Sequence, residues 1–453
     1  MPFASEDAYI TFRFSRNLAT GIGPVFNPGE RVMGFTSAPW MLWNALGYLL
    51  LKDPLPWSRI WTTLGDGVTL VIMGTLLRRS ASPAAAWCFN GFFAAWPFFA
   101  AVGASGMENS LMLTLIVLGA ALATRGSLAS GPVMALLAMW RPEGLASAAV
   151  LALGARWRDR LIGMALAGAG LAALAFSYGS PLPQSLYAKS QLYGIVGPWA
   201  GRHWWEWICP FVFGRFPAAS EGNNMLPLTV ILAPALVAGV PIAWRAKQSA
   251  MSLAIAAALV VWLGYSLLGV TYFFWYMVVP MAGLAALAAV GLPLIVRGRG
   301  LYVSAALFVV GMWTVAPILY LGRARNEYRG FGVVAEYLLE HANPGDKVLL
   351  EPIGFIGYHT SLRIVDEIGL VSPAVARRRL EGPGWYADVL VRERPDWLVV
   401  RQAFLKSGDV LAGAGVPFRS AAERDSLLAR YQAVSGTGAT AGDLTLAVLR
   451  RVR

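Results

Sequence analysis

Charge is what this sequence lacks. Only 14% of its 453 residues are Asp, Glu, Lys or Arg, where soluble domains carry roughly 25%. That deficit excludes a large water-exposed surface and points to a bilayer. The two cysteines, Cys88 and Cys209, stand far apart with no C-x-x-C spacing, which excludes a disulfide framework and a cysteine zinc site. His203, His341 and His359 are equally scattered, so neither a metal site nor a cofactor is expected. Gly354-Phe355-Ile356-Gly357 has neither the glycine spacing nor the Lys-Ser/Thr of a phosphate loop, and reads as a tight turn. The net charge of +12 raises nucleic acid as a partner. However, the basic residues lie in short clusters between apolar runs, with no basic stripe interleaved with aromatics, so nucleic acid is set aside. Neither a signal peptide nor an apolar helix precedes Asp7. No internal repeat or low-complexity tract stands out.

What the chain has in abundance is apolar sequence, at 57%. Runs fit to cross a membrane are read at Arg59 to Leu77, Ala84 to Val102, Asn109 to Ala123, Leu161 to Phe176, Leu226 to Trp244, Leu253 to Gly269, Phe274 to Val296 and Leu301 to Leu321. Gly131 to Ala155 is interrupted by Trp140-Arg141-Pro142-Glu143-Gly144 and reads as a helical hairpin. The expectation is a mainly α polytopic membrane protein, a helical bundle of roughly ten spans with a small α/β domain after Arg323. The working division is 1–58 for an outer-face segment, 59–322 for the bundle and 323–453 for the soluble domain.

Arg78-Arg79, Arg125, Arg156 to Arg160, Arg245 to Lys247 and Arg297 to Arg299 follow successive spans. Placing them all in the cytoplasm satisfies the positive-inside rule. The start of the chain, the Gly106-Met107-Glu108 turn, the Arg141-Glu143 tip, the 178–224 loop and the soluble domain then share the outer face. Since Asp7 must be carried across, this topology predicts an apolar helix encoded upstream of Met1.

Residues 7 to 19 can be drawn as a helix with Ile10, Phe14 and Leu18 on one stripe and Tyr9, Arg13 and Arg16 opposite. That suits a helix lying in the membrane interface. Equally, Glu6 and Asp7 suit any helix N-terminus, where the dipole favours acids. Both readings stay open. Pro39 to Leu51 is too short to span and reads as interfacial or re-entrant. In the last third, Phe331 to His341 reads as a helix and Asn343-Pro344-Gly345-Asp346 as a turn. Lys347 to Glu351, Arg363 to Asp366 and Trp397 to Arg401 read as strands, with a helix between the last two.

A series of short motifs runs in order along the chain. It begins with Glu6-Asp7-Ala8-Tyr9-Ile10-Thr11-Phe12-Arg13 and Asn17-Leu18-Ala19. Val25-Phe26-Asn27-Pro28-Gly29-Glu30-Arg31-Val32 and Gly34-Phe35-Thr36-Ser37 follow. Gly106-Met107-Glu108, Arg141-Pro142-Glu143-Gly144, Pro181-x-Pro183-x-Ser185-x-Tyr187-Ala188-Lys189, Phe274-Trp275-Tyr276 and Asp366-Glu367-Ile368-Gly369-Leu370 complete the series. Together they resemble a bacterial family of GT-C fold membrane glycosyltransferases that includes the mycobacterial terminal arabinofuranosyltransferases. The resemblance covers most of the chain and does not fix the sugar. It implies a polyprenyl-phosphate sugar as donor, a cell-envelope glycan or lipid as acceptor, inversion at the anomeric carbon and an outward-facing site in the bacterial inner membrane. It also implies that Asp7 is the catalytic base, with Glu6 where relatives often have a second acid. Met33 stands where an acid is common and receives no role.

Such a displacement needs one carboxylate as base and cations to hold the departing phosphate. The candidate cations are Lys189, Arg13 and Arg31, with Arg16 and Arg202 more simply attracted to lipid head groups. Glu108, Arg141, Glu143 and Tyr187 are candidate substrate contacts. A structural ion pair within the hairpin explains Arg141 and Glu143 about as well, and helix capping explains Glu108. Trp204, Trp205 and Trp207 read as an interfacial aromatic belt. A transporter or flippase for a lipid-linked sugar is the rival reading, and a membrane scaffold acting through the soluble domain is a third.

Overall fold

The structure, a computed structural model, describes residues 4–193, 226–268, 273–296, 322–401, 416–434, 439–441 and 444–452, with positions 298, 300, 303, 306 and 310. Arg202, the Trp204–Trp207 run and most of the span expected at Leu301 to Leu321 lie outside the described residues.

The chain opens with α1 (Glu6–Ala19), α2 (Ala38–Leu51) and α3 (Pro54–Ser80). Ser37 caps α2 by accepting from Trp40 N–H, and Asp53 caps α3 by accepting from Leu55 N–H. Each cap is followed by proline in the first turn, where no N–H is needed. α4 (Pro83–Ala95) and α5 (Pro97–Ala104) meet at a 55° bend, where Pro97 cannot continue the ladder. α6 (Asn109–Thr124) follows, then α7 (Ser130–Trp140) and α8 (Gly144–Gly154). Val133 of α7 and Leu151 of α8 both reach Gly119 of α6, so α7 and α8 form a hairpin whose tip is Arg141-Pro142-Glu143.

α9 (Trp157–Tyr178) buries only Asp159 and Gly163. α10 (Gln184–Ala188) runs into a one-turn π-helix, Lys189–Tyr193. α11 (Leu226–Arg245), α12 (Ala250–Leu268) and α13 (Val278–Ile295) complete the described bundle. A side chain at Gly291 would overlap the Ala235 carbonyl, so small residues are what let α11 and α13 touch. Among the described residues three helices are long and apolar enough to cross a membrane, and four if the bent α4–α5 pair is one span. The protein is a helical membrane protein.

The last third holds α14 (Gly322–His341), α15 (Ile353–His359), α16 (Pro373–Leu380), α17 (Trp385–Glu393) and α18 (Ala421–Leu428) around a sheet. Its strands are β1 (Lys347–Leu350), β2 (Arg363–Asp366), β3 (Trp397–Arg401), β4 (Tyr431–Ala433), β5 (Ala439–Ala441) and β6 (Leu444–Arg451). The order is β2-β1-β3-β6-β4, with β5 also on β6; β1 to β3 are parallel and β6 is antiparallel to its neighbours.

One expectation and one of two open readings fail here. Gly354 to Gly357 is not a turn but the body of α15. Nor is α1 an interfacial helix: Tyr9, Ile10, Phe12, Arg13 and Phe14 are all buried, because α2 covers one side and α15 the other. Arg13 donates to the carbonyls of Phe26, Gly357 and Leu362, each at 2.8 Å. Arg16 donates to the Tyr358 carbonyl, and Asn27 exchanges hydrogen bonds with Ile364 N–H and C=O at 3.0 and 2.8 Å. The amino-terminal helix is thus a core element between bundle and sheet domain.

Candidate active site

The first turn of α1 presents two carboxylates in different directions, since neighbours on a helix do not share a face. Asp7 Oδ2 lies 3.3 Å from Lys189 Nζ, and both side chains are partly open, at 24% and 16% exposure. The ammonium also sits 4.5 Å from the Phe273 ring centroid and 6.0 Å from that of Tyr276, a cation–π setting that suits a partly desolvated lysine.

Tyr276 links this pair to a buried cluster. The Arg141 guanidinium lies 4.9 Å from the Tyr276 centroid and pairs with both Glu108 and Glu143. Glu108 also accepts from Thr36 Oγ1 at 3.1 Å, and Glu143 accepts from the Tyr265 hydroxyl. Among the described residues one cation faces two carboxylates, and buried charge of that kind persists only where each group is paired and hydrogen-bonded. Two indoles fix the turn that carries Glu108: Trp40 Nε1–H donates to the Gly106 carbonyl at 3.2 Å, and Trp140 Nε1–H to the Glu108 carbonyl at 2.9 Å. Gly106 has φ +86°, and a side chain there would press on Ala8 and Phe12 of α1.

Beyond the π-turn is a cavity of about 440 Å³ lined by Arg31, Tyr178, Gln184, Tyr187, Ser190 and Pro373, among others. Arg31 is exposed and makes no ion pair among the described residues. Lys189 faces Asp7 while its neighbour Ser190 faces the cavity, so a single helical turn divides the two.

The structure therefore brings Asp7, Lys189, Glu108, Arg141 and Glu143 into one connected region and places Arg31 and Tyr187 in the adjacent cavity. Two expected site residues have other occupations. Arg13 is 2% exposed and its guanidinium is taken up by protein carbonyls, so it is out of reach of a ligand phosphate. Burial lowers its pKa to about 9, which still leaves it charged at neutral pH. Glu6 turns away from Lys189 and accepts from the N–H groups of Gly354 and Phe355. Burial, reinforced by Asp7, holds its carboxyl well above the usual range. Sequence reasoning missed Tyr265 and Thr36. Tyr265 could have been found as a buried phenol in an apolar helix, whereas Thr36 gave no signal beyond its place in a motif. Among the described residues no His, Cys, Asp or Glu cluster could hold a metal ion.

The fold is shared. This chain has the GT-C fold: ArnT from Cupriavidus metallidurans in the apo state superposes with a TM-score of 0.62 over 99% of this chain and 94% of that one, at 13% identity. ArnT bound to undecaprenyl phosphate gives 0.61 with the same coverage and identity. Arabinofuranosyltransferase AftD from Mycobacteria gives 0.46 at 18% identity, over 100% of this chain and 38% of that one. Residues 318–447 match a family described as a domain of unknown function, DUF8728. No curated protein matches the chain by sequence.

Proposed function

We propose that this protein is an inverting glycosyltransferase that moves a sugar from a polyprenyl-phosphate donor to a glycan or lipid acceptor at the outer face of the bacterial inner membrane. The observation that carries the reading is the Asp7–Lys189 pair, a carboxylate and an ammonium 3.3 Å apart at the edge of an apolar bundle. The Asp7 carboxylate takes the proton of an acceptor hydroxyl as that oxygen bonds to the anomeric carbon. The bond from that carbon to the phosphate oxygen breaks, and polyprenyl phosphate leaves with the electron pair. A phosphate leaving group needs no acid, only cations to take up its charge. Lys189 and Arg31 serve that purpose from the two sides of the π-turn. Glu143, the partly open member of the cluster, meets sugar hydroxyls with Tyr265 behind it, while the buried Glu108 and Arg141 hold it in place, and Tyr187 lines the path. That ArnT, with the same fold, is seen bound to undecaprenyl phosphate supports a lipid-phosphate donor here. The uniform placement of the basic clusters supports an outward-facing site and an extracytoplasmic carboxyl-terminal domain.

The test is mass spectrometry of envelope glycans and lipid-linked sugars in a deletion strain complemented with Asp7→Asn. Uncompleted glycan and accumulated lipid-linked sugar, as in the uncomplemented deletion, are expected. Normal glycan from a folded Asp7→Asn protein would remove the base and favour the flippase reading.

A further inference from the structure

A helix end is its loosest part: the first N–H groups lack intrahelical partners, and the first turn frays unless something holds it. The proposed base sits in such a turn. Ser5, at the cap position of α1, makes no side-chain capping bond. The turn is held from across the fold instead. Glu6, the neighbour of Asp7, accepts from the N–H groups of Gly354 and Phe355 at the start of α15. The approach is close enough that any side chain at Gly354 would overlap the Glu6 carbonyl. Because Glu6 and Asp7 project about 100° apart on the helix, fixing Glu6 on α15 fixes the angle at which Asp7 meets Lys189.

The same domain also holds the other partner. Lys189 follows α10 directly, and Gln184 at the head of α10 donates to the Gly369 carbonyl at 3.1 Å. Pro373, just beyond, forms part of the cavity wall. Both ends of the Asp7–Lys189 pair are therefore tied to the sheet domain, by Glu6 on one side and Gln184 on the other.

We infer that the carboxyl-terminal domain is a working part of the catalytic unit, and that Glu6 is the positioning residue through which it holds the base. The inference rests on the reading of Asp7 as that base. It gives a role to the region that matches a domain of unknown function: setting the geometry of a site whose chemistry belongs to the bundle and α1.

Glu6→Ala, Glu6→Gln and Gly354→Ala are compared with Asp7→Asn in the deletion strain at matched membrane levels, with completed glycan as readout. The purified full-length variants are tested for binding of undecaprenyl phosphate and for amide exchange over residues 5–12. Displacing a reacting group by about 1 Å costs about 100-fold. Glu6→Ala and Gly354→Ala are expected to lose about 10- to 100-fold in transfer on that basis, with undecaprenyl phosphate binding unchanged and faster exchange confined to the first turn. Glu6→Gln keeps an acceptor oxygen for the two N–H groups and is expected to restore most of the transfer. Wild-type transfer by Glu6→Ala would overturn the inference, as would Glu6→Gln being as inactive as Asp7→Asn, since Glu6 would then act through its proton. Activity in Asp7→Asn would instead overturn the reading of the base. If Glu6→Ala does not fold, Gly354→Ala tests the same contact from its other side.

Discussion

Asp7 and Lys189 are separated by 182 residues of chain and by 3.3 Å in space. Nothing local brings them together: one sits on the first helix and the other on a single π-turn after α10. Charge-assisted hydrogen bonds of this kind contribute about 1.5–3 kcal/mol. Lys189→Met is therefore expected to lower sugar transfer about 10- to 100-fold and to weaken undecaprenyl phosphate binding. Lys189→Arg keeps the charge and should retain part of both. Transfer assays and lipid-phosphate titration of the purified variants check this.

Among the described residues Arg141 is the one cation between Glu108 and Glu143, with its own side chain and that of Glu108 each 3% exposed. Removing one member of a buried ion cluster leaves uncompensated charge and costs about 3–5 kcal/mol. Arg141→Met should unfold well below wild type in detergent melts. Adding Glu108→Gln and Glu143→Gln should recover part of the loss, because the stranded carboxylates are then gone.

Gly357 lies in α15 against the Arg13 guanidinium and the Phe26 ring. Glycine in a helix costs about 1 kcal/mol relative to alanine, so an open site would gain from Gly357→Ala. Here the new methyl meets the Arg13 nitrogen at 2.9 Å, and overpacking of this kind costs about 1–3 kcal/mol. The net sign is expected to be destabilising, read as a lower melting temperature and weaker exchange protection in α1.

Asp366 is buried, with its carboxyl facing Ile368 N–H at 2.8 Å and Val371 N–H at 3.0 Å. Burial outweighs those donors and raises its pKa from 3.8 to about 6. The folded state therefore holds the proton more tightly than the unfolded chain, so this group favours folding at low pH. Its contribution is lost as pH rises from about 4 to about 6 and is constant above. The stability of wild type relative to Asp366→Asn should fall across that window by about 3 kcal/mol at most. Paired melting curves between pH 4 and 7.5 check the sign.

Much of this was legible in the sequence, for reasons that differ by element. β2 and β3 were read with the ends the structure gives them, since Arg363 to Asp366 and Trp397 to Arg401 are short apolar runs bounded by turn residues. The hairpin at Arg141-Pro142-Glu143 was legible because proline and paired charges interrupt an apolar run. The helix ending at His341 was read too short, because its first turns are rich in arginine. For α1 only the interfacial reading failed, because a helix covered on both sides looks amphipathic until its second partner is known, and that partner begins at Ile353. Gly354 and Gly357 misled for a related reason. Glycines three apart suggest a turn locally, while here they clear space for α1. Tyr265 escaped notice because a lone phenol in an apolar helix announces no partner until Glu143 is seen beside it.

Arg13 and Asn27 grip carbonyls and amides that lie 337 to 349 residues downstream. During biosynthesis the opening helix therefore emerges from the ribosome long before the strands that complete its surroundings. Contacts of such sequence separation form late and slowly. A nascent chain stalled before Leu362 and Ile364 would carry Arg13 and Asn27 without those partners, so α1 reaches its final seating only after β2 has been made.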